Sequence, residues 1–255
     1  MSWASRRRSL YLLILFLLIA FPTAVGVVFW LYEAPTCFDG VLNQGEFSID
    51  KGGPCQLLDE RQLIPYAIMW ARPFTVREGV ASAAAYIENP NQNAGVQRAR
   101  YRFRLYDEKN VLVAEKEGET AIMPGVVTPV FEGTLPTGSR TAARAFFEFT
   151  EPLVWERLND TSVLMRVRNK LLSGEDTEPR VAVDITNTSS KDAMDVVFVA
   201  TLFDSAGNAF ASSETVVPLL IGKETVAVVF TWPRPLNRRA ARIDVLPVLP
   251  PELPR

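Results

Sequence analysis

The chain contains no histidine in 255 residues. That absence excludes a Ser-His-Asp triad, a Cys-His pair and any imidazole metal ligand. Cysteine occurs only twice, too few for a zinc site made of cysteines alone. An excess of positive charge is missing as well. Lys and Arg number 27 against 29 Asp and Glu, a formal net charge of −2, so no nucleic-acid partner is expected. No P-loop, GxSxG or GxGxxG pattern occurs. Acid pairs such as Glu175, Asp176 and Glu178 sit in a polar loop, whereas a glycosidase needs two carboxylates converging in a cleft. The expectation is a protein that is not an enzyme and carries no organic cofactor.

Charge is also absent from Ser9 to Tyr32, just after Arg6, Arg7 and Arg8. As a helix, that run reaches about 36 Å, enough to cross a bilayer. Arginines on its N-terminal side hold that end in the cytoplasm, and Trp30 and Tyr32 suit the far interface. The expected order is a cytoplasmic end over 1–8 and a transmembrane helix over 9–32, with everything later outside. The competing reading is a signal peptide cleaved after Ala24. Apolar residues continue through Val25, Val27, Val28, Phe29 and Trp30, which favours the uncleaved anchor.

Residues 37–55 form a small motif, CFDGVLNQGEFSIDKGGPC. Outside the membrane, two cysteines bracketing a short polar loop predict a Cys37–Cys55 disulfide. Closing it contributes about 3 kcal/mol in the chain-entropy view. Gly40, Gly45, Gly52 and Gly53 suit left-handed turns. Asp39, Asn43, Glu46 and Asp50 are oxygen donors of the kind calcium takes, and Asx-turn chemistry is the alternative role for them. The stretch resembles a motif of bacterial extracellular proteins, C-x-D-G-x-x-N-x-x-E-x-x-x-D-C-G-G-x-C. Lys51 stands where that motif has its middle cysteine.

From residue 56 the chain repeats itself with an offset of 97 residues. Phe103-Arg104-Leu105-Tyr106-Asp107 aligns with Ala200-Thr201-Leu202-Phe203-Asp204, and Ile87-Glu88-Asn89 with Ile185-Thr186-Asn187 after one extra residue. That period is too long for a solenoid and fits one small domain duplicated. Tyr101, Phe103 and Leu105 alternate with Arg100, Arg102 and Arg104, the period of a half-buried strand. Turn residues at 107–110 and 205–208 make each anchor a hairpin. Further strands are expected near 64–74, 80–89, 128–134 and 141–150, then 162–171, 179–187, 225–232 and 240–246. The fold class is all-β: two tandem immunoglobulin-like antiparallel sandwiches of about seven strands, over 56–151 and 152–247. Residues 248–255 read as a Pro-rich tail. Trp155, between the copies, is expected at the domain junction.

The strand ending Phe103-x-Leu105-Tyr106-Asp107 is similar to the signature of FxLYD domains, with Ala200 and Phe203 departing from it in the second copy. That resemblance implies a bacterial extracellular β-sandwich module, commonly tethered to the membrane, with no catalytic residues to carry over.

Arg98, Arg100, Arg102 and Arg104 would line one strand face and suit an anionic ligand. The next strand carries Glu115, Glu117 and Glu119. A turn centred between Glu108 and Lys109 sets Arg102 against Glu115, Arg100 against Glu117 and Arg98 against Glu119. The ladder then neutralises itself. The functional expectation is a membrane-anchored binding or spacer protein, with a protein or a cell-surface polymer as partner. The alternative is a structural or accessory subunit of a cell-envelope complex. In both, the membrane is met through residues 9–32.

Overall fold

The computed structural model describes residues 3–31, 36–43, 45–158 and 164–248. Contacts divide the chain into two units, Met1–Pro54 and Cys55–Arg255. In the first unit, helix α1 spans Trp3–Leu31. Its stretch Leu10–Val28 has a mean hydropathy of 2.5, and none of its residues is buried. Pro22 lies inside the helix and cannot donate to the turn before it. The Thr23 hydroxyl donates to the Ile19 carbonyl nearby, at 2.6 Å. Tyr32, expected at the interface, lies outside the described residues, as does the tail from Leu249 onward.

The second unit holds two β-sandwich modules. The first is built from β1 (Ala67–Arg77), β2 (Val80–Glu88), β3 (Ala94–Tyr106), β4 (Leu112–Ile122), β5 (Val127–Pro136), β6 (Arg144–Phe149) and the short β7 (Glu156–Arg157). The second is built from β8 (Met165–Ser173), β9 (Arg180–Asn187), β10 (Ala193–Phe203), β11 (Ala209–Leu220), β12 (Thr225–Thr231) and β13 (Arg242–Val248). These strands pair antiparallel throughout. The sheets run β1-β2-β5 and β4-β3-β6 in the first module, and β8-β9-β12 and β11-β10-β13 in the second. The duplication read from the sequence is thus a duplication of topology: among the described residues six strands repeat in both copies, and the first adds the short β7.

Each module has its own core. Phe103, Leu105, Tyr101 and Phe147 fill the first with Ile87 and Val96. Phe198, Leu202, Val183 and Phe230 fill the second with Ile185. Ala200 takes the place of Phe103, and Phe230 stands where the first copy has Gly133. The second core therefore takes a ring from the opposite sheet.

Buried polar residues repeat as faithfully as apolar ones. Asn89 is fully buried, and its amide donates to the carbonyls of Ala94 and Met123 at 2.7 and 2.9 Å. Asn187 does the same for Lys191 and Leu220 at 2.8 and 3.0 Å. A buried carbonyl without a donor is costly, so each Asn holds the chain where it leaves its strand.

The two modules are packed on each other. Trp70, Phe74, Ala84 and Tyr86 on the outer face of β1-β2-β5 meet Phe203, Ala209 and Leu246 on the outer face of β11-β10-β13. Trp70 and Tyr86 have ring centroids 4.4 Å apart, and Phe203 lies 6.0 Å from Trp70. The Arg242 guanidinium sits 3.9 Å above the Phe203 ring. This seam explains the departure of Phe203 from the signature tyrosine: a hydroxyl there would be desolvated. Tyr106, its counterpart, lies half-buried beside Phe146. Trp155 is not at this seam. It packs in the first core, and β7 beside it pairs with β3. The first module therefore uses residues beyond the expected boundary at 151.

Candidate functional site

The cysteine motif is held by its own acids. Both cysteines are disulfide-bonded, and no other cysteine exists. All four of its glycines named above have positive φ, as does Asp50 at 58°. The Asp50 carboxylate accepts the backbone N–H groups of Asp39 and Gly40, at 3.1 and 3.2 Å. Asp39 accepts the N–H of Val41 at 2.8 Å and the Asn43 amide at 2.9 Å. Glu46 accepts the N–H of Asp50 at 3.2 Å. The bond from Asn43, then that from Val41, holds the Asp39 pKa below its ordinary value. The carboxylate oxygens are acceptors for the loop's own donors, while the buried Asn43 Oδ1 accepts from none of the described residues, so a calcium ion there would have to displace the bonds of the carboxylates.

The arginine row and the glutamate row lie on one face, but in a different register from the one expected. Arg100 faces Glu119, Arg102 faces Glu117 and Arg104 faces Glu115. The shift is two residues, and it has two sources. The Asp107 carboxylate accepts the N–H groups of Lys109 and Val111, both at 2.9 Å, which lengthens the turn. A bulge between Leu105 and Tyr106 adds another residue. A shift of two preserves the face because side chains alternate with period two. Ion pairs then run across three strands. Arg104 reaches Glu115 at 3.1 Å and Glu148 on β6 at 2.6 Å. Arg98 reaches Glu119 at 2.9 Å, and Arg100 reaches Glu151 at 3.1 Å. The Arg102 pKa is raised, chiefly by its hydrogen bond to Glu117. The row is neutralised by its neighbours and offers little free positive charge to a ligand.

A different group of arginines keeps its charge. An open cleft of about 970 Å³ lies between the modules, walled by β1 and β6 of the first and by β11 and the loop after β12 of the second. Arg72, Arg144, Arg234 and Arg238 line it, with Glu214 as its one acid. Arg238 is paired with Asp204 at 2.7 Å. Arg72 donates to neutral groups, the Asn208 side chain at 2.8 Å and the Ala209 carbonyl at 3.3 Å. Among the described residues, Arg72, Arg144 and Arg234 are not in ion pairs. Trp232 forms part of the wall, its indole N–H donating to the Ser212 carbonyl at 3.1 Å. Phe146, 59% exposed, stands on the opposite side. Burial, then the charge of Glu132 nearby, raises the Glu214 pKa. Sequence reasoning did not reach this site, because its residues come from four separate segments and only the packing of the modules brings them together. The signal available was negative: these arginines have no acids at strand-pairing distance in the sequence.

No protein-family model and no curated protein matches the chain. Among solved structures, the chain is similar to red sea bream transglutaminase, at 13% identity and a TM-score of 0.25, over 73% of this chain and 30% of that one. It is also similar to a β-glucuronidase of glycoside hydrolase family 2, at 12% identity and a TM-score of 0.20, over 69% of this chain and 21% of that one. The chain thus spans under a third of either enzyme's length.

Proposed function

We propose that this chain is a membrane-anchored, extracytoplasmic, non-enzymatic protein that presents two FxLYD-like β-sandwich modules at the cell surface. The observation that carries this reading is the pairing of an exposed apolar helix, Leu10–Val28, with a disulfide-bonded β unit. An apolar helical stretch of 19 residues needs a non-aqueous surrounding, and disulfides persist in oxidising compartments. Arg6 to Arg8, before the apolar stretch of the helix, favour an outward-facing C-terminal part. Most of the conspicuous acids hold structure, the exception being Glu214 in the cleft, whose pKa the nearby charge of Glu132 helps to raise. Glu115, Glu117, Glu119 and Glu148 pair with the arginine row, and Asp107 and Asp204 hold turns. The proposed work is therefore to bind and to hold a surface away from the bilayer.

The test is topology in a bacterial host whose outer barrier has been permeabilised. Protease added from outside should digest the modules, and the membrane fraction should hold the chain at its full-length mass. Modules protected until the inner membrane is lysed would overturn the orientation. A mature chain lacking residues 1–24 would overturn the anchor.

A further inference from the structure

We infer that the cleft between the two modules binds a carboxylated sugar chain. This deepens the reading of the modules as a surface-presented binder and rests on it. The first observation is charge. Arg72, Arg144 and Arg234 converge on one cleft without acid partners, while the arginine row on β3 is fully matched by glutamates. A guanidinium is a planar fork that fits a carboxylate with two hydrogen bonds. Three arginines without acid partners, of which Arg72 already donates to Asn208 and Ala209, give the cleft a positive potential that attracts an anion.

The second observation is the pair of flat aromatic faces beside those charges. Trp232 is held in orientation through its bond to Ser212, and Phe146 keeps most of its ring in water. Rigid ring faces next to cations suit a ligand with apolar C–H faces and acidic edges, which describes a uronic-acid chain. The cleft volume of about 970 Å³ falls in the range of small-ligand sites. It accommodates a few sugar rings and not a folded partner.

The third observation comes from the duplication. The loop after β12 aligns with the loop after β5. Pro233 keeps Pro136, and Arg238 keeps Arg140 with one residue inserted. At the cleft the copies part: Leu135 becomes Trp232 and Thr137 becomes Arg234. The first module closes the same loop with Leu135 buried in its core. Trp232 likewise packs against the second core, so the change that bears on the cleft rather than on the core is that from Thr137 to Arg234.

The experiment titrates the full chain, in detergent micelles, with tetragalacturonate while following tryptophan fluorescence and heat. Its methyl ester, tetraglutamate and pyrophosphate are the comparison probes. The expected result is saturable binding of tetragalacturonate and no binding of the ester. Arg144→Gln and Arg234→Thr should each weaken binding about tenfold or more. Trp232→Leu should remove the fluorescence change and lower the melting temperature modestly, because the ring also packs on the second core. Arg166→Gln, on β8 and outside the cleft, should bind like the parent. Three results would overturn the inference: no saturation by about 10 mM, equal binding of tetraglutamate or pyrophosphate, or equal loss in Arg166→Gln. Failure here with protease-accessible modules leaves the surface reading intact. Modules facing the cytoplasm would sink that reading whatever the cleft binds.

Discussion

At the scale of single residues, the aspartate of the repeated signature is a structural group. Asp107 accepts two backbone N–H groups across its turn and pairs with Arg140 at 2.5 Å. Asp204 accepts the N–H groups of Ala206 and Asn208 and pairs with Arg238 at 2.7 Å. Each pKa is lowered, first by the backbone bond from Val111 or Asn208 and also by the arginine. A carboxylate with a lower pKa in the folded state stabilises that state above its unfolded value, about pH 4, and the contribution is lost as pH falls through the folded pKa. Replacing both by asparagine keeps an acceptor for the turn and removes the charge opposite each arginine. The Asp107→Asn, Asp204→Asn double variant should be less stable than the parent at about pH 7, and the gap should close as pH drops below about 4. Urea midpoints measured across that pH range check it; a gap that stays constant would mean the charge contributes nothing.

At the scale of elements, the strands were legible and their pairing was less so. The alternation of Tyr101, Phe103 and Leu105 with arginines identified β3 and its inner face, and the turn residues identified the hairpin. The register came out two residues away, because a side-chain-stabilised turn and a bulge leave no mark in hydrophobic period. Strand β2 shows a second limit. Ala83, Ala84 and Ala85 are all fully buried, on two different faces, and small residues do not announce a doubly buried strand. Trp155 misled for a related reason: a linker position in the sequence became a core position once β7 paired with β3. The candidate cleft was invisible for want of any local pattern. Close approach also governs β4. A Cβ on Gly118 would lie 2.4 Å from the Tyr101 hydroxyl oxygen and 2.5 Å from its ring carbon. That hydroxyl donates to Glu132 at 2.9 Å. Gly118→Ala should therefore cost about 1–3 kcal/mol, read as a lowered urea midpoint, whereas at Gly138, with nothing within 4 Å but a φ of +62°, the same change would cost through backbone strain instead of crowding.

At the scale of the whole β unit, the seam decides whether the modules act as beads or as one body. Phe203 is 2% exposed although it ends a strand whose own core faces the other way. Val199 and Thr201, on the same outer face, are fully buried. Surface of that kind is withdrawn from water only if the modules stay docked, so their unfolding should be coupled into one transition. Cutting Phe203 to alanine removes the ring between Trp70 and Arg242 at a cost of about 3–5 kcal/mol. Neither module's own core contains that ring, so the loss falls on the docking rather than on either module. Calorimetry of the full chain should show one β-unit transition for the parent and two for Phe203→Ala. The same substitution should loosen the cleft, because its walls belong to different modules and this seam is a main contact that fixes their spacing, beside Met123 in the second core and the bonds from Arg72 to Asn208 and Ala209. Two transitions already present in the parent would mean that the modules move independently, and a cleft shared between them would then have no fixed width with which to select a ligand.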